Sequence, residues 1–134
     1  MSPEGRVAVP YLTIAGHVSA VEVAAIRRRV RAFAAAHGAS PREVFAIGLA
    51  VGEAVVNCVM HGYDGGGGEV RVEVDLEDGD LEVVVADGGR GFTTCPSEGL
   101  GLGLAFVRAG STAFEVRDRP LGGVEVWMRF ALGA

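Results

Sequence analysis

Three short constellations hold the side chains able to do chemistry. The first is Glu53-Ala54-Val55-Val56-Asn57-Cys58-Val59-Met60-His61. Glu53, Asn57 and His61 stand four apart at each step. Four helical residues advance ~400°, so each step drifts only ~40° and the three side chains line one edge of a helix. A carboxylate there can take a proton from a hydroxyl or a water. A carboxamide oxygen is a sound protein ligand for Mg2+, which keeps waters and phosphates as its other ligands. On spacing alone, a solvent-facing polar stripe explains the pattern equally well. His61 taken by itself reads more simply as a partner of the helix C-terminal dipole.

The second constellation ends the apolar run Val83-Val84-Val85-Ala86 with Asp87 and continues into Gly88-Gly89-Arg90-Gly91-Phe92. A carboxylate at a strand end, beside backbone that permits close approach, suits an exocyclic amine such as that of adenine. A plain Asp-Gly turn is the competing reading. The third is Gly99-Leu100-Gly101-Leu102-Gly103-Leu104, which opens a helical stretch. Backbone N–H groups at a glycine-rich helix start bind phosphate. The residue three beyond Gly103 is Phe106, so the dinucleotide fingerprint G-x-G-x-x-G is absent. A tight helix–sheet contact would also explain these glycines.

The elements that must carry these groups can be read from periodicity. Val7 to Ile14 is β-prone, and Pro10 within it makes it an edge strand. From about Ser19 to His37, Val23, Ile26, Val30 and Phe33 recur at helical steps, and Gly38 ends the helix. Ser40-Pro41-Arg42-Glu43 is a capping box with proline at the first helical position. The helix it opens reaches about His61, with Val44, Ile47, Val51, Val55, Cys58 and Val59 as its apolar stripe. The period then changes to two. Val70, Val72, Val74 and Leu76 alternate with charged residues, as in a half-buried antiparallel strand. Asp78-Gly79 predicts a hairpin turn into a more central strand, Leu81 to Ala86. A short helix is predicted over Leu100 to about Ala109. Strands from Thr112 to Asp118 and from Val124 to Leu132 follow, joined by a turn at Pro120 to Gly123. The order β-α-α-β-β-α-β-β predicts a two-layer α/β sandwich: a mixed, largely antiparallel sheet with helices on one face.

Composition bounds the function. The chain has 134 residues, which is one domain by size, 1–134. All twelve basic residues are arginine, which excludes any mechanism that needs a lysine. Net charge is −5, against the basic surface expected of a nucleic-acid binder. The local run Arg27, Arg28, Arg29 and Arg31 reads as a solvated helix face or as a docking patch for an acidic partner. Cys58 and Cys95 lack metal-ligand spacing. No apolar run approaches a membrane span and no secretory leader is visible, so a cytoplasmic protein with no membrane partner is expected. A mean hydropathy of +0.33 is high for a small acidic domain and suggests apolar surface covered by a partner.

Taken together and in order, the three boxes resemble the Bergerat-fold, histidine-kinase-like ATPase superfamily. Within it the chain is similar to the stand-alone bacterial anti-sigma factor serine/threonine kinases. The match rests on E-A-V-x-N-x-x-x-H-G-Y from Glu53, on D-x-G-x-G-F at Asp87, Gly89, Gly91 and Phe92, and on Gly99 to Leu104. The resemblance implies ATP and Mg2+ as cofactors. Glu53 would activate the substrate hydroxyl, and Asn57 would ligate the Mg2+ that bridges the phosphates. Asp87 would accept a hydrogen bond from the adenine amino group. Gly89 and Gly91 would shape the nucleotide pocket, and Gly99, Gly101 and Gly103 would cradle the phosphates. Arg27 would contact protein partners. The partners implied are a sigma factor and an anti-sigma-factor antagonist, with a homodimer and no direct nucleic-acid contact. The short segment Thr93 to Glu98, expected to act as a lid, keeps a second function open: a regulatory module that binds ATP without transferring phosphate.

Overall fold

A computed structural model describes residues 11–57, 68–87, 113–118 and 124–133. The described elements are β1 (Leu12–Val18), α1 (Ala20–Ala36), α2 (Pro41–Asn57), β2 (Gly68–Glu77), β3 (Asp80–Asp87), β4 (Ala113–Asp118) and β5 (Val124–Ala131). The strands form one sheet in the order β1-β2-β3-β5-β4, and every pairing is antiparallel. Among the described residues no helix is long and apolar enough to cross a membrane.

Local chemistry fixes the element ends. Ser19 caps α1: its backbone N–H and its hydroxyl both donate to Glu22 Oε1, at 2.7 and 2.5 Å. Ser40 caps α2 reciprocally. Its N–H donates to Glu43 Oε1 at 2.8 Å, and its hydroxyl oxygen accepts from the Glu43 N–H at 3.2 Å. Gly38, at φ +101°, follows α1 in the left-handed region that glycine alone enters freely. Asp78 and Gly79 both have positive φ, at 52° and 84°, so the Asp-Gly pair makes the mirror-type turn that matches the strand twist.

The strand period of two sorts the sheet into two faces. Val70, Val72 and Val74 of β2, Leu81, Val83 and Val85 of β3, and Val126, Met128 and Phe130 of β5 are buried on the helix side. They pack with Val23, Ile26, Val30 and Ala34 of α1 and with Ile47, Val51 and Val55 of α2. The opposite face is charged, and acidic residues outnumber arginines there. Glu77 lies opposite Asp80, and Asp75 opposite Glu82. Such like-charge pairs repel. Arg129 offsets the repulsion, with Nε 2.8 Å from Asp80 and Nη1 2.5 Å from Glu82. Trp127 lies on the same face; its indole N–H donates to Glu82 at 3.5 Å and Arg117 lies over its ring.

Of the first strand expected from Val7 to Ile14, residues 7–10 lie outside the described residues; the described strand, Leu12–Val18, runs four residues beyond the expected end and pairs with β2 at the sheet edge. Pairing with a long neighbour outweighs local propensity and draws Gly16 and His17 into the strand. The helix expected near 100–109, the turn at 120–123 and the last turn of α2 beyond Asn57 lie outside the described residues.

Candidate nucleotide site

α2 sets the first half of the site. Its inward stripe against the sheet holds the helix in place, with Ile47, Ala50, Val51, Ala54 and Val55 fully buried. Glu53 and Asn57 lie one turn apart on this anchored helix. Glu53 is half-buried, while Asn57 is only 6% exposed. A solvent-facing polar stripe is therefore ruled out for Asn57. Among the described residues its Nδ2 has no hydrogen-bond partner. Leaving a buried polar group unmatched costs about 1–3 kcal/mol, so such a group persists where a ligand uses it. A carboxamide offers both an acceptor oxygen and a donor nitrogen, which fits a hydrated, phosphate-bound cation. Among the described residues, no group of three His, Cys, Asp or Glu could hold a metal unaided.

β3 sets the second half. Asp87 is its last residue, and its side chain is wholly buried. It lies in register with Val70 of β2, and Val70 with Gly16 of β1, all on the helix side of the sheet. A carboxylate buried at the end of an apolar strand, on the face where α2 packs, fits a donor group of a bound base. Gly89, Gly91, Gly99, Gly101, Gly103 and His61 lie outside the described residues.

The arginine run splits in two. Arg28 and Arg29 are exposed, whereas Arg27 and Arg31 are half-buried and cross onto α2. A Cβ on Gly52 would stand 3.0 Å from Arg27 Cδ and 3.1 Å from its Nη1. A Cβ on Gly48 would stand 2.2 Å from Arg31 Nε and 2.9 Å from its Cγ. Both glycines are therefore sockets for arginine stems. Arg27, expected to face partners, also lies against the residue that precedes Glu53. Neither Gly48 nor Gly52 was among the residues expected from the sequence to matter. The available signal was a pair of glycines four apart inside a strong helix, matched by arginines four apart on the helix before it.

The model of the histidine kinase-like ATPase domain matches residues 18–130. The anti-sigma F factor of Thermoanaerobacter sp. (strain X514) is 30% identical over 120 residues, covering 81% of this chain and 84% of that protein. The chain is a histidine kinase-like ATPase domain of the anti-sigma factor family. The anti-sigma F factor of Shouchella clausii (strain KSM-K16) is 28% identical over 116 residues, covering 77% and 80% of the two chains. That of Clostridium botulinum (strain Eklund 17B / Type B) is 34% identical over 71 residues, about half of each chain. Among solved structures, the SiaB–SiaC complex from Pseudomonas aeruginosa contains a similar chain. It matches with a TM-score of 0.66 at 20% identity, covering 90% of this chain and 89% of that one, a likeness of fold. The α/β architecture expected from the sequence is the one this family has.

Proposed function

We propose that this protein binds Mg-ATP between α2 and β3 and transfers the γ-phosphate to a serine or threonine hydroxyl of an anti-sigma-factor antagonist. The same protein would hold a sigma factor, as a cytoplasmic regulator. The observation that carries this reading is the buried Asn57, one turn from Glu53 on a helix locked to the sheet, whose amide nitrogen has no partner among the described residues. Membership of the ATPase domain family and the anti-sigma factor relatives support it. When bound, Mg2+ neutralises phosphate charge and so supports phosphoryl transfer. Asn57 would hold that ion, and Asp87 would orient the base from the end of β3. Glu53 accepts the proton of the attacking hydroxyl, and its half-buried position leaves room for a substrate to approach. Arg27, with Gly89, Gly91, Gly99, Gly101 and Gly103, keeps the role given by the family resemblance.

The first test is a thermal melt with and without ATP and Mg2+. A ligand at 100-fold excess over its Kd stabilises the fold by about 2.7 kcal/mol, a shift of several degrees for a domain of this size. The shift should require Mg2+ and shrink in Asp87→Ala. No shift at millimolar ATP would overturn the nucleotide reading. A shift without phosphate transfer to an antagonist domain would favour the non-catalytic ATP-binding module.

A further inference from the structure

The row of side chains that carries Glu53 and Asn57 does not begin at Glu53. At steps of four it continues backward along α2 to Leu49 and Phe45. Each step rises ~6 Å and drifts ~40°, so Phe45 stands about 12 Å along the axis from Glu53, on the same side of the helix. Exposure falls along the row. Phe45 is 63% exposed, Leu49 and Glu53 are half-buried, and Asn57 is 6% exposed. The row runs from solvent into the nucleotide site.

Its two apolar members do not serve the core. Among the described residues, Val44 and Val56 of α2 pack against the core cluster, whereas Phe45 and Leu49 do not. A phenylalanine and a leucine side by side outside the core form an apolar strip that a partner can cover. The flank of this strip toward α1 is cationic. The Arg31 stem lies over Gly48, the neighbour of Leu49, and the Arg27 stem lies over Gly52, the neighbour of Glu53. Neither arginine makes an ion pair among the described residues, and the buried Nε of Arg31 has no hydrogen-bond partner there. Half-buried guanidinium groups without a carboxylate are matched by acidic groups from outside. Arginine beside aromatic and aliphatic side chains is the make-up of a protein–protein contact. A lipid surface also takes apolar and basic groups together. The row favours a protein, because it leads to the carboxylate that accepts the proton of the attacking hydroxyl. Whatever presents that hydroxyl to Glu53 has this strip beside it.

We propose that Phe45, Leu49 and Arg31 form the docking surface for the protein that presents the acceptor hydroxyl. That protein binds through a segment with apolar side chains beside an acidic one. The apolar side chains cover Phe45 and Leu49, and the acid pairs with Arg31. This inference rests on the phosphate-transfer reading above, and it extends the partner contact given to Arg27 from α1 onto α2.

The test uses the full chain and the purified antagonist domains encoded in the same genome, titrated by calorimetry and assayed for phosphate transfer. Phe45→Asp, at an exposed position, should raise the Kd and KM for the antagonist domain roughly tenfold or more, with kcat within about twofold of wild type. Arg31→Met keeps a stem over Gly48 and removes the charge. It should weaken binding at low salt and make affinity less sensitive to ionic strength. Both variants should keep the melting shift with Mg-ATP, which shows that fold and nucleotide site are intact. Phosphate transfer with an unchanged KM in both variants overturns the docking surface alone. A wild type that binds no antagonist domain overturns it together with the transfer reading. Wild-type binding to phosphatidylglycerol vesicles that Phe45→Asp abolishes, with antagonist affinity unchanged, would assign the strip to a membrane and also overturn it.

Discussion

Glu53 and Asn57 share a helix turn but are asked for different things, and substitution should separate them. Glu53→Gln keeps size and polarity and removes the base. Mg-ATP should still raise the melting temperature, while phosphate transfer falls by about 10²–10⁴-fold. Asn57→Ala should lose the Mg2+-dependent shift itself. It should cost little fold stability, because it removes a buried amide donor that has no partner among the described residues. A Glu53→Gln variant as active as wild type would remove the general base from the mechanism. The pair was legible in the sequence because a four-residue spacing needs only helical geometry. The burial of Asn57 was not legible, since a polar residue late in a helix looks the same whether it faces water or a ligand. Asp87 was legible for a simpler reason: a carboxylate ending four apolar residues has only a strand end on which to sit.

At the scale of elements, the α1–α2 contact depends on two absent side chains. Glycine inside a helix costs about 1 kcal/mol relative to alanine. Gly48 must therefore be explained by what occupies its space, which is the Arg31 stem. Gly48→Ala in the wild type should destabilise, because the stem has to leave. In an Arg31→Ala background the same substitution should stabilise by about 1 kcal/mol. Urea melts of the four variants give the coupling, and purely additive effects would refute the socket. The cap of α1 makes a pH prediction. The Ser19 hydroxyl, then the Ser19 N–H, hold the Glu22 carboxyl below its ordinary value. A depressed carboxyl contributes stability that is present above the unfolded value of ~4.3 and is lost as pH falls through the folded value. Glu22→Gln should flatten the melting temperature over that acidic window, lowering it at neutral pH and approaching wild type only at the acid end. Caps and the Asp-Gly turn could be read in the sequence because each is a local hydrogen-bond or backbone requirement. The limits of β1 could not, because its partner lies more than fifty residues away and sets where the strand begins.

Over the whole molecule, the described core is valine-rich and continuous from both helices to the central strands. Ile47, fully buried where α2 meets the sheet, ties the layers together. Charge is divided as clearly. α1 presents arginines on one side of the molecule, and the bare face of the sheet is mainly acidic. The same bare face holds Trp127, the only tryptophan in the chain, in register with Val84 of the strand that ends at Asp87. Its ring is thus a built-in optical probe on the side of the sheet away from the helices. Its emission on heating follows the sheet while far-ultraviolet dichroism follows the helices, and coincident curves would show that the two layers melt as one. A change in emission on adding Mg-ATP would report on the sheet itself, since the indole lies on the face opposite Asn57 and Asp87 of the proposed site.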